Sequence, residues 1–216
     1  MMRTLPLLAL LAVPAAYAAE DDQRLMAALA NASEQLMPQV ATVLAHQQRQ
    51  ISAKCPLGKL VADEVNVMEL PAFNLDGMPE RGDWHIRYTT TACKEKVARS
   101  ASFHATAKGV QVEAGAPGDS RTDGRLAKDV WASFQKAAVR AKPGCTAMVL
   151  RDTKLVETPK DGSSIWREAW IGRVCGQEMG QIVSFYPTPR GTMFRMSLPS
   201  EELPEQQLAP TYQPVR

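Results

Sequence analysis

Apolar residues recur at steps of three and four from Glu20 to about Lys54: Leu25, Leu29, Ala32, Leu36, Val40, Val43, Leu44 and Ile51. That spacing lines one face of a helix. Pro38 falls inside the stretch, and proline suits a first helical turn better than a helix interior, so the pattern predicts two helices or a kink, with Pro38 near the start of the second. The period then drops to two. Gly58 to Leu70 reads as a strand in which Val61, Val65 and Val67 alternate with polar residues, and Asp83 to Cys93, Lys96 to Ala105 and Gly109 to Ala114 read as three more. Asp76-Gly77 and Pro79 mark the loop from Pro71 to Gly82.

Gly115 to Gly124, rich in small and breaking residues, reads as a linker. Asp123 or Thr122 can then cap a helix from about Arg125 to Ala141, whose stripe is Leu126, Val130, Phe134, Ala137 and Ala141. Lys142-Pro143-Gly144 stops it. Strands follow over Ala147 to Glu157, Ile165 to Cys175, Glu178 to Tyr186 and Thr192 to Leu198, with turns at Pro159 to Gly162 and Pro187 to Gly191. From Pro199 the chain has four prolines in 18 residues and no periodicity, as expected of a disordered tail.

One helix and four strands therefore occur twice. Trp84 to Gly109 aligns without a gap on Trp166 to Gly191, 82 positions later, with six identities in 26 positions: both tryptophans, Cys93 with Cys175, Ser102-Phe103 with Ser184-Phe185, Thr106 with Thr188, and the closing glycines. This pattern indicates an internal duplication. The expected fold is α+β, two tandem α-β4 modules. The boundaries are an export signal at 1–18, an N-terminal helical extension at 19–37, a first repeat at 38–115, a linker at 116–124, a second repeat at 125–198 and the tail at 199–216. A helix followed by a four-stranded antiparallel meander resembles the cystatin-like architecture, in which the sheet wraps the helix. Cystatin inhibitors carry Gln-x-Val-x-Gly. The nearest strings here, Gln181 to Phe185 and Gln111 to Gly115, depart from it, so the resemblance extends to element order and not to cysteine-protease inhibition.

Each repeat places one cysteine at the start of its first strand and the other at the end of its second. Midpoints at residue 160 for Cys145 and Cys175, and residue 74 for Cys55 and Cys93, both fall in the connecting loops, so each pair faces across a hairpin. Disulfides Cys55 to Cys93 and Cys145 to Cys175 follow, in preference to a zinc site, which would need closer ligand pairs. To keep Trp166, Trp170 and Val174 on the same side as Met179, Val183 and Phe185, the next loop must have an even number of residues. Gly176-Gln177 as a type II′ turn meets that condition, and Lys94-Glu95 fits it less well, so a distorted or different turn is expected there.

Composition adds a compartment. Arg3, the apolar run from Leu5 to Val13 and Ala16-Tyr17-Ala18 form a removable export signal, and an even cysteine count suits a periplasmic or secreted protein. The run is too short to span a bilayer, and no later stretch is longer. Without the signal, 24 basic residues face 23 acidic ones, which gives no basic patch for nucleic acid.

No nucleophile elbow, phosphate loop or metal motif occurs, and no cofactor is implied. His46 is expected to be exposed on a helix, and His85 and His104 to be solvent-facing or locally hydrogen-bonded. Glu168, between Trp166 and Trp170, is read either as a carboxylate with a raised pKa on an aromatic face or as a rim residue beside Arg167 or Arg173. The candidate ligand-binding residues are Glu168, Trp170, Arg173, His85 and Tyr88. They sit mostly where the copies differ, as do Ile86 and Thr91, whereas Trp84 and Trp166, shared by both, belong to the core. The expected function is binding of a protein or peptide partner, as an inhibitor, adaptor or envelope accessory factor. A purely structural envelope role would show as an exposed apolar patch at the sheet edges. The other alternative is a hydrolase with Glu168, Glu157 or His85 converging between the modules.

Overall fold

The computed structural model describes residues 16–158, 164–189 and 191–197. Most of the export signal, the Pro159 to Gly162 turn and the tail from Pro199 lie outside them. The described chain is a mixed α+β fold of α1 (Ala16–Ile51), β1 (Val61–Phe73), β2 (Pro79–Ala92), β3 (Glu95–Thr106), β4 (Gly109–Ala114), α2 (Gly124–Ala141), β5 (Met148–Glu157), β6 (Trp166–Val174), β7 (Gln177–Thr188) and β8 (Gly191–Ser197). β1-β2-β3-β4 and β5-β6-β7-β8 are two antiparallel sheets in sequence order.

Pro38 does not divide α1 into two helices, the first of the two expected outcomes. Proline deprives the carbonyl four residues earlier of its donor. Pro38 and Glu34 both lie on the exposed side of the helix, where water can satisfy that carbonyl. Leu29, Leu36, Val40 and Leu44 occupy the opposite side and pack on Trp84, Ile86 and Tyr88 of β2 and Ala101, Phe103 and Ala105 of β3. In the second unit Ala127, Val130, Phe134 and Ala138 of α2 pack on Trp170, Val174, Val183 and Phe185. Asp123 caps α2, accepting the Leu126 N–H at 2.8 Å.

The central hairpins share a register 82 residues apart: Trp84 pairs with Phe103, and Trp166 with Phe185. Both pairs stack, with ring centroids 5.0 and 4.7 Å apart. The turn, however, lies one residue earlier than expected. Val174 pairs with Gln177 and Ala92 with Glu95, so the loops are Cys175-Gly176 and Cys93-Lys94. All four residues have positive φ, the type I′ combination rather than II′, and the first unit adopts the same turn as the second. Hydrophobic phase fixes only the parity of a loop, so it could not separate these placements. The Pro187 to Gly191 turn is also shorter than expected, since β7 continues to Thr188.

Cys55–Cys93 and Cys145–Cys175 are disulfide-bonded, each within its own unit. Closing loops of this size contributes about 3–4 kcal/mol each in the chain-entropy picture. Two disulfides fit a protein of a non-cytoplasmic compartment. Among the described residues, no helix is long and apolar enough to cross a membrane.

Residues 115–124 form a largely buried strap. The Gly118 N–H donates to the Ala98 carbonyl of β3, and the Asp119 N–H to the Thr153 carbonyl of β5, at 3.1 and 2.8 Å. Thr153 Oγ1 donates to the Pro117 carbonyl at 2.6 Å. Gly118 has φ +93°, and a Cβ there would stand 2.2 Å from the Thr153 carbonyl oxygen. Only glycine lets the strap lie this close to both sheets.

Candidate functional site: the cleft between the sheets

Four of the five ligand-binding candidates point into the protein, and the structure does not assemble the five into one site. Glu168 is fully buried. Its carboxylate accepts from the Arg121 N–H at 2.7 Å, Ser120 Oγ at 2.8 Å, and the indole Nε1 of Trp166 and Trp170 at 2.9 Å each. Burial pushes its pKa up, and the four donors pull against that shift. Glu168 is therefore not a rim residue beside Arg167 or Arg173. The role of the carboxylate is to pin the strap against β6. Trp170 and Tyr88 are core residues, so neither offers a surface platform.

His85 is buried beside the strap and hydrogen-bonded through Nδ1 to Ser102 Oγ at 3.1 Å, with its pKa lowered by desolvation. His104 remains exposed and pairs with Asp83 at 2.5 Å. Exposed His46 contacts Gln50. Arg173 is half-buried on β6 and pairs across the strands with Val149 and Glu178. Glu157 forms an ion pair with Arg167. None of His85, Glu157 and Glu168 lines the cleft between the units, so the convergence on which the hydrolase alternative depended does not occur. Among the described residues, no group of three His, Cys, Asp or Glu side chains is placed to hold a metal.

That cleft is a concave feature to which both units contribute, as is another between the first sheet and the start of α2. A narrow lobe of about 120 Å³ is lined by Gln48 and Ile51 of α1, the Cys55–Cys93 disulfide, Val97 and Arg99 of β3, and Asp152 and Ile171 of the second sheet. It shares Glu95, Val97, Arg99, Asp152 and Lys154 with a wider lobe of about 860 Å³, where Lys96 and Asp119 also stand.

Local sequence explains how the charged residues reach it. Along β3, Val97, Arg99, Ala101, Phe103 and Ala105 alternate onto the side facing α1, so Arg99 occupies an inward position opposite Tyr88. On β5, Met148 and Leu150 face α2, and continued alternation would put Asp152 and Lys154 there too. A register shift between Leu150 and Asp152 reverses the phase, giving the inward place to Thr153, opposite Trp170. Asp152 and Lys154 are thereby turned to the other face, into the cleft.

Arg99 is 4% exposed. Its Nη1 donates to the Ala98 carbonyl at 2.6 Å and its Nη2 to Gln48 Oε1 at 2.5 Å. Its Nε is buried and has no acceptor among the described residues. Asp152 lies close enough for each charge to act on the other, but the two form no ion pair. Desolvation raises the Asp152 pKa to about 6, against the pull of Lys154 and Arg99. Sequence reading missed both residues. The phase of Arg99, an arginine in step with Val97, Ala101 and Phe103, was the available signal. The placement of Asp152 depends on a bulge that alternation alone does not reveal.

Compared with protein-family models, curated proteins and solved structures, the chain has no match.

Proposed function

We propose that this is an exported binding protein of the periplasm or extracellular space, built from two copies of one α-β4 module, which takes a protein or peptide partner in the cleft between them. The carrying observation is that both units supply a mixed wall of apolar and charged side chains to one concavity, including a buried arginine without an ion pair. Duplication is supported by the shared register, the stacked Trp–Phe pairs and the equivalent turns 82 residues apart. The repeats correspond to residues 38–115 and 125–198. The remainder of α1 is an N-terminal extension, and the strap joins the copies.

A binding role also agrees with how the polar residues flagged for chemistry are used. Glu168 holds the strap, and His85 is hydrogen-bonded beneath it. The test is capture by the immobilised, disulfide-bonded protein from an envelope extract of the producing cell. A partner retained by the native chain and by Val139→Asp, an exposed substitution on α2, is expected to be lost when Val97 and Ile171 in the cleft are both changed to Asp. An identical retained set for all three proteins would contradict the cleft.

A further inference from the structure

We infer that the cleft anchors its partner through a carboxylate held at Arg99, next to an aliphatic side chain seated in the narrow lobe. This deepens the proposed function and rests on it. A guanidinium offers five N–H donors and stays charged at any ordinary pH. Here the two hydrogen-bond acceptors are neutral, Ala98 O and Gln48 Oε1, and the buried Nε has none among the described residues. Withdrawing a cation from water is costly, and the cost is recovered only when an anion meets it with good geometry. The planar fork of arginine matches a carboxylate through two parallel hydrogen bonds.

Acidic and basic side chains both line the lobes around Arg99, but none of the acidic ones forms an ion pair with it. Arg151 is paired with Glu178, and Arg87 with Glu64, so those acidic groups are already engaged. Asp63 accepts from Thr89. Asp152 comes nearest in effect but forms no ion pair with Arg99. In the wider lobe Lys96 and Lys154 stand with Glu95 and Asp119, so its charge is mixed. Ile51, Val97, Ile171 and the Cys55–Cys93 disulfide supply an apolar wall beside the guanidinium. A peptide presenting a carboxylate beside a leucine-like side chain complements both features. The carboxylate can belong to a chain terminus or to an acidic side chain.

Three probes separate these sources: acetyl-Ala-Leu with a free carboxylate, its C-terminal amide, and acetyl-Glu-Leu-amide. Each is titrated into the ¹⁵N-labelled, disulfide-bonded protein while the amide signals around Arg99 and Ile171 are followed. Saturable shifts are expected with the free acid, at least tenfold weaker with its amide, if the anchor is a terminus. If it is a side chain, they are expected with the Glu probe. Arg99→Gln should remove the difference and Arg99→Lys retain part of it. Should Arg99→Gln fail to fold, the acid-against-amide comparison on the native chain still decides. Equal shifts from all three probes would refute the carboxylate anchor and leave the cleft standing. The absence of any shift, with the captured partner still sensitive to the Val97 and Ile171 substitutions, would refute the anchor alone. Loss of that sensitivity as well would overturn both.

Discussion

The indole N–H of Trp166 donates to Glu168 at 2.9 Å, whereas the equivalent Trp84, 82 residues earlier, has Ile86 in that place and an indole nitrogen buried without an acceptor among the described residues. The second unit thus contains an internal acceptor that the first lacks. Trp170, which also donates to Glu168, corresponds to Tyr88, whose hydroxyl is likewise unpaired. Glu168 is therefore a fastener for the strap through Ser120 and Arg121.

Glu168→Ala leaves four buried or partly buried donors without their acceptor. A loss of about 3–5 kcal/mol is expected in denaturant unfolding, with faster amide exchange across residues 120–122. Glu168→Gln keeps the shape but turns an amide N–H₂ toward donors, and should fall between the alanine variant and the native protein. A loss below about 1 kcal/mol for alanine would show that the strap is held by other contacts.

Tyr88→Phe makes the opposite change in the first unit. The Tyr88 hydroxyl is buried without a partner, and that burial pushes its pKa up. Removing it without disturbing the ring should be neutral or stabilising by up to about 1 kcal/mol. A clear destabilisation in denaturant unfolding would reveal an acceptor or bound water for the hydroxyl.

Much of the fold was legible because it rests on local periodicity. The strand centres, the α2 cap and the cysteine pairing follow from alternation, an Asp before an apolar stripe, and cysteines flanking a turn. Pro38 misled because interruption of a helix depends on where the freed carbonyl points, which is a tertiary fact. The turn was displaced by one residue because parity alone was determined. Glu168 was difficult to place because its partners Ser120 and Arg121 lie 48 and 47 residues away. Asp152 and Lys154 were hidden by the β5 bulge, and only the inward phase of Arg99 was there to be read.

The turns supply a local test. Lys94 stands at φ +70° where the other unit has Gly176 at +81°. Left-handed backbone is unfavourable for lysine and free of that penalty for glycine. Lys94→Gly should therefore stabilise by up to about 1 kcal/mol, and Gly176→Lys destabilise by a similar amount, measured by thermal unfolding at fixed pH. Destabilisation by Lys94→Gly would indicate that the Lys94 side chain makes a compensating contact.

Asp152 gives the cleft a pH signature. Its folded pKa of about 6 lies above the usual carboxylate value, so the folded state holds the proton more tightly than the unfolded chain. The stability contributed by this group is present below about pH 4 and is lost as pH rises through 6. Asp152→Asn lacks that loss. Its stability relative to the native protein should rise between pH 4 and 7 by on the order of 2–3 kcal/mol. A difference that stays flat across that range would mean that Asp152 titrates normally.

Site-specific photo-cross-linking in the producing cell tests the binding cleft most directly, with the photoreactive residue placed at Lys96 in the wider lobe or at Val139 on the exposed face of α2. A discrete adduct from position 96 and none from position 139 is the expected result. Equal adducts from both positions, or an adduct from 139 alone, would contradict a partner bound between the two sheets.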